Sequence, residues 1–77
     1  MKNSDVSMVA VGLFVRQRRK ANGFTQAQLG ALASTGTRLI SEIERGKTTA
    51  RVDAVNRVLH PFGKMLGIID LPREASP

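Results

Sequence analysis

Two apolar patterns of helical period, each under about three turns long, are joined in this chain by only three residues, Ser34-Thr35-Gly36. The upstream pattern opens at Thr25, an N-cap residue type with Gln28 three positions on to complete a capping box. Phe24 and Leu29 occupy the two positions of a hydrophobic staple. The pattern runs through Leu29 and Leu32 to about Ala33. Downstream, Ile40 and Ile43 form an inward face and Gly46 supplies a C-terminal stop, so Thr37, Arg38, Ser41, Glu42 and Arg45 are left pointing outward. The spacing predicts two short helices on either side of a tight turn.

The remaining segments fit around that pair. Val11, Phe14 and Val15 recur at helical spacing from about Ser7 to Ala21. This helix ends in Arg16, Arg18, Arg19 and Lys20, near the negative end of its own dipole, before Asn22-Gly23 stops it. Val52, Val55, Val58, Leu59 and Phe62 predict a further helix from about Arg51 to His60, ended by Pro61 and Gly63. The stretch 64–71, rich in Ile and Leu between Gly63 and Pro72, reads as a strand. The expected fold is mainly α: four to five helices and one C-terminal β-strand in a single domain over 7–71, with 1–6 and 72–77 as flexible ends.

A chain of 77 residues buries little core, and without cysteine it has no disulfide or thiolate metal site to compensate, so oligomerisation is expected. Twelve Lys and Arg against six Asp and Glu give a formal charge of +6, which points to a polyanionic partner, nucleic acid first. The longest apolar stretch, 8–15, is far below the roughly 20 residues that span a bilayer, and the basic residues follow it. The expected compartment is the bacterial cytoplasm, at the nucleoid. His60 is the single histidine and has no cysteine or carboxylate cluster beside it. Asp53 and Asp70 have no partner at catalytic spacing, and there is no glycine-rich phosphate loop. Neither enzyme activity, a metal nor a cofactor is expected. RNA is a weaker candidate than duplex DNA, since the chain has no Trp or Tyr and its three Phe fall at core-like positions or helix ends.

Thr25-Gln26-Ala27-Gln28-Leu29, followed by Ile40-Ser41-Glu42-Ile43-Glu44-Arg45-Gly46-Lys47, resembles the phage-repressor and Cro type of helix-turn-helix domain, the XRE family, over roughly 11–62. The basic run Leu13-Phe14-Val15-Arg16-Gln17-Arg18-Arg19-Lys20 and the strand-like 64–71 are most similar to HipB-like antitoxin regulators. This likeness implies a dimer held partly by strand pairing, operator binding, and a HipA-like toxin kinase encoded alongside. It also implies a partly buried ion pair between Arg19 and Glu44. Three positions depart from the family pattern: Ser34 replaces the turn glycine, Gly30 a small apolar alanine, and Gly36 the usual Ser or Thr cap. The first residue of the third helix is thereby left open.

In such a fold one helix crosses the phosphate backbone and the next enters the major groove. Thr37, Arg38, Ser41 and Glu42 are the expected base-contacting residues, with Arg38 able to take guanine in a bidentate manner. Phosphate contact is expected from Gln26, Gly36, Arg45, Lys47 and Thr48. A lone strand would expose unpaired backbone groups along an apolar edge, so 64–71 is expected to pair with its copy in a homodimer, sharing Phe62, Leu66, Ile68 and Ile69. Two functions follow: a dimeric, autoregulatory repressor on a palindromic operator, or an antitoxin whose main role is to neutralise a toxin kinase.

Overall fold

The computed structural model describes residues 7–71. The expected flexible ends, 1–6 and 72–77, lie outside them. Four α-helices follow one another: α1 over Met8–Ala21, α2 over Gln26–Leu32, α3 over Thr37–Glu44 and α4 over Val52–Leu59, with a 3-10 turn over His60–Phe62. None is long and apolar enough to cross a membrane.

Local chemistry sets most of these limits. Ser7 caps α1, its hydroxyl accepting from the Ala10 amide at 3.3 Å. At α2 the capping box is complete: the Gln28 amide donates to Thr25 Oγ1 at 3.0 Å, and the Thr25 amide to Gln28 Oε1 at 2.8 Å. Gly36 is the N-cap of α3 and offers no side-chain bond, which fixes Thr37 as the first helical residue.

The C-terminal stops share one device. After α1 the Gly23 amide reaches the Lys20 carbonyl and the Phe24 amide the Arg19 carbonyl. The same pair of bonds, one closing over six residues and one over four, is made by Gly46 and Lys47 to Ile43 and Glu42. Gly63 and Lys64 repeat it to His60 and Leu59. These are Schellman turns, and each needs a left-handed residue at its corner. Glycine provides it three times, with φ of 70–81°. After α2 the corner is Ser34, at φ 58°, with Ser34 and Thr35 amides bonded to Ala31 and Gly30.

Val15, Leu29, Ala33, Ile40, Ile43, Val55, Val58 and Leu59 make one buried core to which every helix contributes. Each fully buried Val, Leu or Ile stabilises the fold by about 1.5–3 kcal/mol. Met8, Val11, Phe14, Leu39, Ala50, Phe62 and Leu66 pack around it half-buried. Leu32 and Val52 follow the apolar period but face outward, because they sit at the last and first positions of short helices. Gly12 brings α1 onto α3. A Cβ there would collide with the Ile43 carbonyl oxygen and stand 2.9 Å from that of Glu44. Gly30 serves the turn rather than the body of α3, since its Cβ would lie 3.0 Å from the Thr35 carbonyl oxygen and 3.2 Å from the Gly36 carbonyl carbon.

The strand expected over 64–71 does not form. A ladder requires a second run of backbone, and the described residues contain no strand to provide it. The segment is anchored at Leu66, whose amide donates to Asn56 Oδ1 on α4 at 2.7 Å. Beyond Leu66, Ile68, Ile69 and Leu71 stand exposed.

Candidate nucleic-acid interface

The interface is built on an ion pair that locks three helices. Arg19, in the last turn of α1, donates through Nε to Glu44 Oε2 at 2.6 Å and through Nη2 to Oε1 at 3.1 Å. Its Nη1 donates to the Phe24 carbonyl at 2.9 Å, tying the α1–α2 loop into the same knot. Gln26, at the first turn of α2, donates its side-chain amide to Glu44 Oε1 at 3.2 Å. The Glu44 side chain is only 3% exposed and that of Arg19 11%. Burial alone would raise the Glu44 carboxyl. The hydrogen bonds from Arg19 and Gln26 and the charges of Arg19 and Arg16 outweigh it and hold the group below its usual value. Arg19 is raised in turn, first by its hydrogen bond to Glu44. Bidentate geometry with every other lone partner engaged is what makes a pair worth burying.

This knot orients the outward face of α3. Thr37, Arg38 and Arg45 are exposed there, with Ser41 and Glu42 half-covered between them. Arg38 Nε donates to Glu42 Oε2 at 3.2 Å, and Arg45 Nη1 donates to Ser41 Oγ at 3.0 Å. Lys47, thrown back over α3 by the turn at Gly46, places Nζ 3.4 Å from Glu42 Oε2. Gly36 and Thr48 are exposed at the two ends of the helix.

The residues expected to touch bases, and Gly36, Arg45, Lys47 and Thr48 expected to touch phosphates, lie along α3, its N-cap and the turn that follows it. The Gln26 amide is turned inward onto Glu44, so what α2 offers outward is its N-terminal backbone, where the capping box leaves the Gln26 and Ala27 amides unused.

Sequence reasoning missed two further contributions. Gly12 sets how closely α1 lies on α3, and nothing in the local pattern marks it. Asn56 holds the C-terminal segment, and its signal is a helix-averse polar residue between buried Val55 and Val58. Of the other basic residues on α1, Arg16 stands close enough for its charge to act on Glu44, while Arg18 lies 5.2 Å over the Phe14 ring.

Two short helices around a tight turn, the second presenting a polar, cationic face, define a helix-turn-helix domain. A family model described as a helix-turn-helix domain matches residues 10–63. An uncharacterized HTH-type transcriptional regulator of Sinorhizobium fredii, y4mF, is 36% identical over 59 residues, covering 77% of this chain and 78% of the relative. Another, of Haemophilus influenzae, is 27% identical over 71 residues, covering 92% of this chain and 71% of the relative. The chain belongs to the XRE-type family of helix-turn-helix DNA-binding transcription regulators, which are not enzymes.

Proposed function

We propose that this chain is a homodimeric repressor that binds a palindromic operator in the bacterial cytoplasm, at the nucleoid, and represses its own promoter. The observation that carries this reading is the single outward surface formed by α3 and the turn after it. Thr37, Arg38, Ser41 and Glu42 face the base edges, while Gly36, Arg45, Lys47, Thr48 and the first-turn amides of α2 at Gln26 take the flanking phosphates. A formal charge of +6 supplies the sequence-independent attraction. Dimerisation rests on Phe62, Leu66, Ile68 and Ile69, of which the last two are exposed in the single chain.

Selection of bound duplexes from a random pool tests the whole reading at once, because it yields sequence, symmetry and half-site spacing. The expected product is a palindrome. Asymmetric or unrelated sequences would overturn it. The toxin–antitoxin assignment rests on likeness to HipB-like regulators, and its test is separate: a HipA-like kinase should co-purify with the chain in its native host. A stoichiometric kinase together with no selected DNA site would make toxin neutralisation the main role.

A further inference from the structure

Glu42 lies on the outward face of α3 one turn after Arg38, yet its side chain is only 18% exposed where that of Arg38 is 91% exposed. Two cations share one of its oxygens. Arg38 Nε donates to Oε2 at 3.2 Å, and Lys47 Nζ stands 3.4 Å from the same atom. Lys47 is fixed by its backbone as well, its amide reaching the Glu42 carbonyl at 3.1 Å in the turn at Gly46. One acid thus joins a residue of the base-reading set to a residue of the phosphate set, with its second oxygen free of both.

We propose that Glu42 is the specificity-determining residue of this interface: it holds Arg38 end-on for guanine and lowers affinity for duplexes that lack guanine there. The proposal rests on the DNA-reading assignment above. With Nε engaged, Arg38 presents Nη1 and Nη2, two parallel donors that match O6 and N7 of guanine in the major groove. A correctly placed guanine takes that fork while the bond to Glu42 stays intact. At any other base the competing partner for Arg38 is a phosphate, and reaching it means leaving Glu42. A carboxylate stripped of one cation then faces a polyanion. Desolvation would raise the Glu42 carboxyl, but the hydrogen bonds and charges of Arg38 and Lys47 keep it below its usual value, so it is ionised at neutral pH. The acid therefore opposes binding to every sequence and opposes the cognate one least.

The test compares the parent chain with Glu42→Gln, Arg38→Ala and the double variant, each titrated across a salt series. The two probes are the tightest duplex from the selected pool and a scrambled duplex of equal length. Glutamine keeps the shape of Glu42 and removes its charge, so the thermal melt of the variant serves as the check on folding. Glu42→Gln should bind scrambled DNA about fivefold tighter and leave the cognate duplex nearly unchanged, which narrows the cognate-to-scrambled ratio about fivefold. It should also steepen the salt dependence on scrambled DNA by about one counterion. In the Arg38→Ala background the same change should leave the ratio unaltered, since Glu42 acts through Arg38. A folded Glu42→Gln with an unaltered ratio, or one that binds both duplexes more weakly, overturns the proposal. A parent chain that cannot tell the two duplexes apart overturns the DNA-reading assignment, and the proposal falls with it.

Discussion

Ser34 is the one corner among four alike that lacks glycine. A non-glycine residue in the left-handed region costs about 1–2 kcal/mol, and glycine there loses part of the gain through the freedom it adds to the unfolded chain. Ser34→Gly should therefore stabilise the domain by about 0.5–1 kcal/mol and raise the melting midpoint by a few degrees. An unchanged or lower midpoint in a thermal scan would refute this, because Ser34 is exposed and makes no hydrogen bond that its loss would break. Arg19 and Glu44 are the opposite case, two side chains whose worth lies in each other. Either Arg19→Ala or Glu44→Ala strands a buried charge, at a cost of roughly 3–5 kcal/mol, and a double-mutant cycle should return strong coupling. Coupling within error of zero would contradict the geometry. The pair also sets the acid limb of stability. Glu44 titrates below its unfolded value near 4.5, so its contribution is complete above that pH and is lost as pH falls through the folded value. Arg19 is raised above its ordinary value by its hydrogen bond to Glu44, so its share is present throughout the acid and neutral range. Glu44→Gln should flatten the fall in melting midpoint below about pH 4.5, leaving the smaller slope of half-covered Glu42 and exposed Asp53; an unaltered acid limb would show that Glu44 does not govern it.

Among the elements, what the sequence displayed best was whatever is decided within a few residues. Thr25 and Gln28 announce the start of α2, and Gly23, Gly46 and Gly63 mark stops, because capping bonds and left-handed corners involve near neighbours. The core positions Val15, Leu29, Ile40, Ile43, Val55 and Val58 were legible through their period. Contacts between elements were not. Gly12 looks like a weak point in α1, and only the carbonyls of α3 reveal why a side chain is excluded. Gln26 marks the free N-H groups at the start of α2, but nothing near it in sequence shows that its side-chain amide reaches Glu44, eighteen positions away. Gly12→Ala should cost about 1–3 kcal/mol despite its better helix propensity, since α1 must move away from α3. A gain in stability would mean that the two helices part easily. On α3 itself, reading and positioning should separate. Arg38→Ala should cost about 1–3 kcal/mol on the cognate duplex and relax one base pair, whereas Lys47→Ala should weaken all duplexes alike and reduce the salt slope by about one. Equal losses on cognate and scrambled DNA for Arg38→Ala would remove it from the base-reading set.

At the scale of the whole molecule the question is what covers 64–71. In the single chain this segment carries Met65, Ile68, Ile69 and Leu71 exposed, Ile68 completely so, against a domain whose own core is small. Helix patterns reveal themselves within one chain, but a strand is defined by its partner, which is why an apolar run bounded by Gly63 and Pro72 reads as β in the sequence and forms no ladder here. A second copy can provide the missing backbone. A two-fold axis through 64–71 would turn one segment into an antiparallel pair and bring Leu66, Ile68, Ile69 and Phe62 of both copies together, while Asn56 fixes where each segment leaves its domain. The same axis would place two α3 helices in successive major grooves about 34–36 Å apart, which sets the half-site spacing of the palindrome at one helical turn. Sedimentation of the parent chain at micromolar concentration should give a dimer. Ile68→Pro should remove a ladder hydrogen bond and split it, and cooperative operator binding should go with it. Because Ile68 is fully exposed in the single chain and lies outside its helices, the variant should keep its helical circular dichroism, which separates loss of pairing from loss of folding. A monomeric parent, or an Ile68→Pro variant that stays dimeric and binds its operator cooperatively, would remove this segment as the interface.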